Sequence, residues 1–151
     1  VSPKGQKSDR FYEFGSNVVK IRDEKQFQKD VLNSNFLWAV EFYREGCGYC
    51  QLLTPIWEKV AENLKGLVRV AAVDTERSGS LPGNHGDAAN PIQGVPTIKL
   101  FIPSSNQNGK MRVVVYNGER KGRPIVDFLT QHMPNFVQRL LARDGSHDQF
   151  L

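Results

Sequence analysis

Only two cysteines occur among the 151 residues, which excludes the dense disulfide framework by which small secreted scaffolds make up for a thin core. No apolar run approaches the ~20 residues of a membrane-spanning helix, and no signal-peptide pattern opens the chain. The sequence starts at Val1 rather than Met, and it reads as a processed or excised piece of a longer precursor. A large charge of one sign is also missing. Twenty Lys and Arg against sixteen Asp and Glu leave a net charge of +4, spread along the chain without an aromatic-basic motif. That pattern describes a solvated surface and not a nucleic-acid footprint. With 39% apolar and 24% charged residues the chain is expected to fold as one globular domain.

Periodicity and punctuation divide that domain. Residues 1–16 are polar and glycine-containing and read as a flexible N-terminal arm. Val18 to Ile21 is a short strand, and Asp23 can cap a helix reaching about Asn33, with Phe27, Val31 and Leu32 as its apolar face. Residues 36–43 are too continuously apolar for a one-sided strand, so they predict a buried central one. A second helix spans about Gly48 to Leu64, with Pro55 placed to kink it. Residues 67–73 predict a further strand ending at Asp74. Gly and Pro punctuate residues 75–94, so any helix there is short. Two strands, 97–101 and 111–116, form a hairpin, and a last helix runs from about Arg123 to Ala142, interrupted at Pro134. Residues 143–151 read as a tail or linker. A β-α-β half followed by a β-β-α half over residues 17–142 predicts an α/β fold with a mixed central sheet and helices on both faces.

The two cysteines form Cys47-Gly48-Tyr49-Cys50, between the buried strand and the second helix. Residues three apart in a first helical turn are neighbours, within the separation a disulfide bridges. Helix N-termini favour anions, so Cys47 is the candidate nucleophile, and Cys50, one turn in, the resolving thiol. Two alternatives stand beside this redox pair. One is half of a zinc site, for which His85, His132 and His147 are isolated partners; the other is an inert buried pair. Glu41 is a carboxylate inside the apolar run. On a strand covered on both faces its pKa should rise, and it could then take the proton of Cys50; at a wet strand end it would be ordinary. Val95-Pro96 is an X-Pro bond that could be cis.

These landmarks, in their order, resemble the protein disulfide isomerase family within the thioredoxin-like fold. The resemblance rests on Val40-Glu41-Phe42-Tyr43, the Cys47–Cys50 motif, Gln93-Gly94-Val95-Pro96-Thr97-Ile98 and Tyr116-Asn117-Gly118-Glu119-Arg120, and it covers about residues 17–142. Trp38, Gln51 to Pro55, Trp57 and Ala72-Val73-Asp74 look closest to isomerases with tandem thioredoxin domains. The resemblance implies an enzyme that forms, reduces and rearranges disulfides in unfolded or disulfide-bonded protein substrates, in the endoplasmic reticulum lumen or another oxidising secretory compartment. It implies no cofactor or metal, and a redox partner such as glutathione or an oxidase. It implies that Glu41 is the proton-transfer carboxylate, that Pro96 is cis and faces the disulfide, and that Arg120 approaches the second cysteine. Gly48, Tyr49, Val95 and Pro96 would contact substrate. A thioredoxin-like reductase and a partner-binding module remain alternatives.

The departures are local. Tyr49 stands where the family usually has His, and Arg44-Glu45-Gly46 where it has Ala-Pro-Trp. Ala72 lacks the Lys that many members place near the carboxylate, and residues 87–91 look inserted. The chain ends Asp148-Gln149-Phe150-Leu151, which is not a retention signal of the endoplasmic reticulum.

Overall fold

Val19–Ile21 forms β1. Asp23 then caps α1, Glu24–Phe27, by accepting from the Gln26 amide at 2.7 Å. The helix widens over Gln28–Leu32 into a π-helical turn, closed by the Asn33 amide donating to the Gln28 carbonyl at 3.0 Å. The apolar spacing of Phe27 and Val31 fits an α-helix and a wider turn equally, so sequence periodicity could not separate them. This computed structural model describes residues 10–77, 91–103 and 111–133.

The apolar run becomes β2, Trp38–Tyr43, with all six residues buried. It leads into α2, Gly48–Asn63, which carries Pro55 in its interior, and then β3, Arg69–Asp74. Beyond lie β4, Thr97–Ile102, β5, Arg112–Val115, and α3, Gly122–Thr130. The expected extension of the last helix past Pro134, most of the punctuated segment 75–94, the hairpin tip, the tail and nearly all of the 87–91 insertion lie outside the described residues.

The strands make one sheet in the order β1-β3-β2-β4-β5. β3 pairs parallel with β1 and β2, whereas β4 pairs antiparallel with β2 and β5. This is the expected mixed sheet, with β2 between β3 and β4. Alternation along β2 splits the core in two. Trp38, Val40 and Phe42 face α1, where Phe27, Val31 and Phe101 join them. Ala39 and Tyr43 face the other way, toward Leu53, Trp57 and Val60 of α2 and Ile125 and Leu129 of α3. Each large apolar side chain so buried contributes about 1.5–3 kcal/mol. Trp57 also ties α2 to the sheet, its indole donating to the Ala71 carbonyl at 3.0 Å.

One expectation is corrected. The flexible arm does not extend through residue 16, because Phe11 and Tyr12 are buried on the α2 side of the sheet. The Phe11 ring lies 4.7 Å from that of Tyr43, and the Tyr12 ring meets Tyr43 edge-on at 5.8 Å. Burying two aromatic rings outweighs the surrounding polar composition, which is what the arm assignment rested on.

Candidate active site

The redox pair is placed by the junction of β2 and α2. Gly46, at φ +84°, turns the chain, and Cys47 becomes the N-cap of α2. The two cysteines are joined as a disulfide, with Cα atoms 5.2 Å apart. The Cys50 amide donates to the Cys47 sulfur at 3.1 Å. No acidic residue lies in the first turn of α2 to oppose a negative charge there. Amides without helical partners and the helix dipole therefore point at Cys47, the arrangement that favours a thiolate. Cys47 keeps 9% of its surface, and Cys50 none. The first cysteine is thus the more accessible of the two.

Across from the pair, the Val95–Pro96 bond is cis, as the resemblance implied. The Val95 carbonyl oxygen lies 3.8 Å from the Cys47 sulfur. The Thr97 hydroxyl donates to the Gly94 carbonyl at 2.6 Å and closes the turn that presents Val95. Pro96 is buried and Val95 half-buried.

Glu41 is fully buried, opposite Ala72 on β3 and Ile98 on β4. Burial pushes its carboxyl up to about 8, and a hydrogen bond from the Tyr12 hydroxyl to Oε1 offsets part of that rise. Oε2 has no hydrogen-bond partner among the described residues. Glu41 therefore lies inside the domain, on the face that α2 covers. Tyr12 is the polar partner that sequence reasoning missed. The available signal was an aromatic pair, Phe11-Tyr12, in an otherwise polar stretch.

Arg120 is exposed, and its guanidinium carbon sits 5.3 Å from the centre of the Tyr49 ring. It rests over the Tyr49 ring of the motif. Tyr49 is 66% exposed, and with Pro96, Tyr116 and Arg120 it lines a cavity of about 610 Å³. The departing segment before the motif is held by Arg77, which bridges Glu45 at 2.9 Å and Asp74 at 3.3 Å. Among the described residues no group of three or more His, Cys, Asp or Glu could hold a metal ion. Among them, too, no helix is long and apolar enough to cross a membrane.

A disulfide closed across a helix N-terminus, faced by a cis-proline and backed by a buried carboxylate, is the arrangement of a C-x-x-C redox motif in a thioredoxin-like fold. The thioredoxin family model matches residues 18–131, and the chain belongs to the thioredoxin family. It is similar to protein disulfide-isomerase A6 of Homo sapiens, 40% identical over 137 residues that cover 90% of this chain and 29% of that protein. It is also similar to protein disulfide isomerase-like 2-3 of Oryza sativa subsp. japonica, 43% identical over 117 residues covering 78% of this chain and 24% of that protein. The chain therefore spans less than a third of the length of these relatives. Among solved structures, the Trx4 domain of ERdj5 superposes with a TM-score of 0.63 at 25% identity, over 76% of this chain and 93% of that one.

Proposed function

We propose that this domain catalyses thiol–disulfide exchange on protein substrates, in the manner of a protein disulfide isomerase. The supporting observation is the Cys47–Cys50 disulfide at the N-terminus of α2, with the Cys50 amide on the Cys47 sulfur. In the reducing direction, the Cys47 thiolate attacks a substrate disulfide, forms a mixed disulfide and expels one substrate thiolate. Cys50 passes its proton to the Glu41 carboxylate and attacks the Cys47 sulfur. The Cys47–Cys50 bond forms, the bond from Cys47 to substrate breaks, and its electron pair leaves on the second substrate sulfur. Run backwards, the same steps oxidise a substrate dithiol. Stopped after the first attack, they let substrate disulfides rearrange.

Gly48, Tyr49, Val95 and Pro96 form the contact surface around the Cys47 sulfur, with the Val95 backbone next to a bound extended segment. Arg120 acts as a mobile cation that can leave the Tyr49 ring for Cys50. A closed pair suits an oxidising secretory compartment such as the endoplasmic reticulum lumen, with glutathione or an oxidase as redox partner. Catalysis resides in a unit of about residues 17–142, to which the Phe11-Tyr12 contact adds.

A second role, as a thioredoxin-like reductase, is favoured by the neutral, exposed Tyr49 beside the nucleophile. Equilibration against glutathione buffers separates the two. A potential near roughly −180 mV supports the isomerase role, and one near roughly −270 mV the reductase role. Cys50→Ala should trap a mixed disulfide with a protein substrate, and Cys47→Ser should abolish exchange. Undiminished exchange by Cys47→Ser would overturn both roles.

A further inference from the structure

We propose that Tyr12 is a positioning residue for proton transfer at Glu41: its hydroxyl occupies Oε1 and leaves Oε2 to receive the proton of Cys50. This rests on the reading of Glu41 as the proton acceptor. The N-terminal segment would then be part of the redox machinery and not only a cover for it.

Three observations carry the proposal. The Tyr12 hydroxyl donates to Oε1 in a site where Tyr12 is 4% and Glu41 0% exposed, while Oε2 has no partner among the described residues. A carboxyl so held has one oxygen engaged and one free to bind a proton. Next, Tyr12 has φ +53°, a left-handed conformation that a bulky residue rarely adopts. Such a residue persists only where its surroundings over-determine it, and here the Phe11 and Tyr43 rings clamp it. Finally, the neighbouring elements offer Glu41 little else. β3 presents Ala72 and, two residues on along the same face, the buried Asp74, which Arg77 bridges at 3.3 Å; β4 presents Ile98, and α2 brings Cys50, Leu53 and Trp57 to the same side of the sheet. Tyr43 shares its strand face. The Thr54 hydroxyl adjoins that of Tyr12 and donates to the Cys50 carbonyl at 2.9 Å. The buried cation, Lys99, pairs with Val40 and so lies on the opposite face, over the Phe42 ring at 5.8 Å.

Burial and the Glu41 charge push the Tyr12 phenol well above its ordinary value, so it remains a donor whether or not Glu41 is charged. It supports the carboxylate before transfer and cannot compete for the arriving proton. The step is balanced: the proton leaves the Cys50 sulfur for Oε2, and the Cys50 thiolate then forms the bond to Cys47 as the substrate thiolate departs.

The test is Tyr12→Phe, which keeps the ring. The Glu41 carboxyl is titrated by carbon-13 NMR, and the decay of a preformed mixed disulfide is followed from pH 6 to 10. Removing a hydrogen bond to the charged form should raise the Glu41 midpoint from about 8 by about one unit. Resolution at pH 7 should slow about three- to tenfold. In a Glu41→Gln background, Tyr12→Phe should add less than about twofold, because its effect runs through the carboxylate. If Tyr12→Phe does not fold, 3-fluorotyrosine at position 12 serves instead; the more acidic phenol should shift the Glu41 midpoint down. An unmoved midpoint in either variant, or the same loss in the Glu41→Gln background, overturns the proposal. Glu41→Gln resolving as fast as the parent overturns the role of Glu41, and the proposal with it, while the titration still reports the contact.

Discussion

The Cys50 amide points at the Cys47 sulfur from 3.1 Å, so the backbone of the second cysteine supports negative charge on the sulfur of the first. That donor is fixed by the helix and does not depend on the side chains between the cysteines. What those side chains add is long-range charge, and here Tyr49 adds none. Tyr49→His should therefore lower the Cys47 pKa. At 66% exposure water screens the new cation, so the expected shift is about half a unit, equivalent to a potential about 15 mV less negative. Thiolate absorbance against pH and equilibration with glutathione read the two quantities. An equal or higher Cys47 pKa in Tyr49→His would show that the neutral ring does not set the redox poise.

Gly46 occupies φ +84°, with open space where a Cβ would project. A side chain there would meet no steric obstacle, yet any L-residue would carry the left-handed backbone cost of about 1–2 kcal/mol. Gly46→Ala should lower the melting temperature by about 2–6 °C without moving the redox potential by more than about 10 mV. Calorimetry of the oxidised protein and a glutathione titration test both halves. The Trp that isomerases usually place here would meet the same backbone cost, so the loss of Trp and the turn geometry belong together.

Much of this architecture was legible in the sequence, for a physical reason. The six buried residues of β2 come from a run apolar enough to require cover on both faces, and of the apolar residues that repeat at helical spacing through α2, Leu53, Val60 and Leu64 are buried whereas Leu52 is exposed. The motif between them could be placed because a strand and a helix meet there. Glu41 was legible as a charge in an apolar run. Tyr12 was not, because its role depends on a non-local contact 29 residues away in sequence, made through a backbone conformation that no propensity favours. The position of Arg120 over Tyr49 was equally hidden, since an exposed guanidinium chooses among several partners by small energies.

That contact is itself testable. A cation resting on a ring at an exposed site is stabilised by about 0.5–1 kcal/mol, which the proposed movement of Arg120 to Cys50 would have to overcome. Tyr49→Ala should release it and speed mixed-disulfide resolution about two- to fivefold. The gain should vanish in an Arg120→Gln background, where there is no cation to release. Persistence of the gain there would assign it to loop opening instead.

The buried carboxylate also sets a pH dependence of stability, distinct from catalysis. Its folded-state value of about 8 lies above the ordinary 4.5, so the folded protein holds a proton that the unfolded chain releases. The associated stability is fully present below about 4.5 and is lost as pH rises through about 8. Glu41→Gln removes the titration and keeps the shape. Relative to this variant, the parent should lose up to roughly 5 kcal/mol across that window, with the steepest loss per pH unit between about 5.5 and 7.5. Denaturant unfolding with the disulfide intact, at pH 5, 6, 7, 8 and 9, measures the gap. The gap between the two curves should be small at pH 5 and widen steadily to about pH 8, with Glu41→Gln the less pH-dependent. Parallel curves would mean that Glu41 is charged in the folded domain at neutral pH. Tyr12→Phe should widen the same gap above pH 8, because the unsupported carboxylate is harder still to ionise in place.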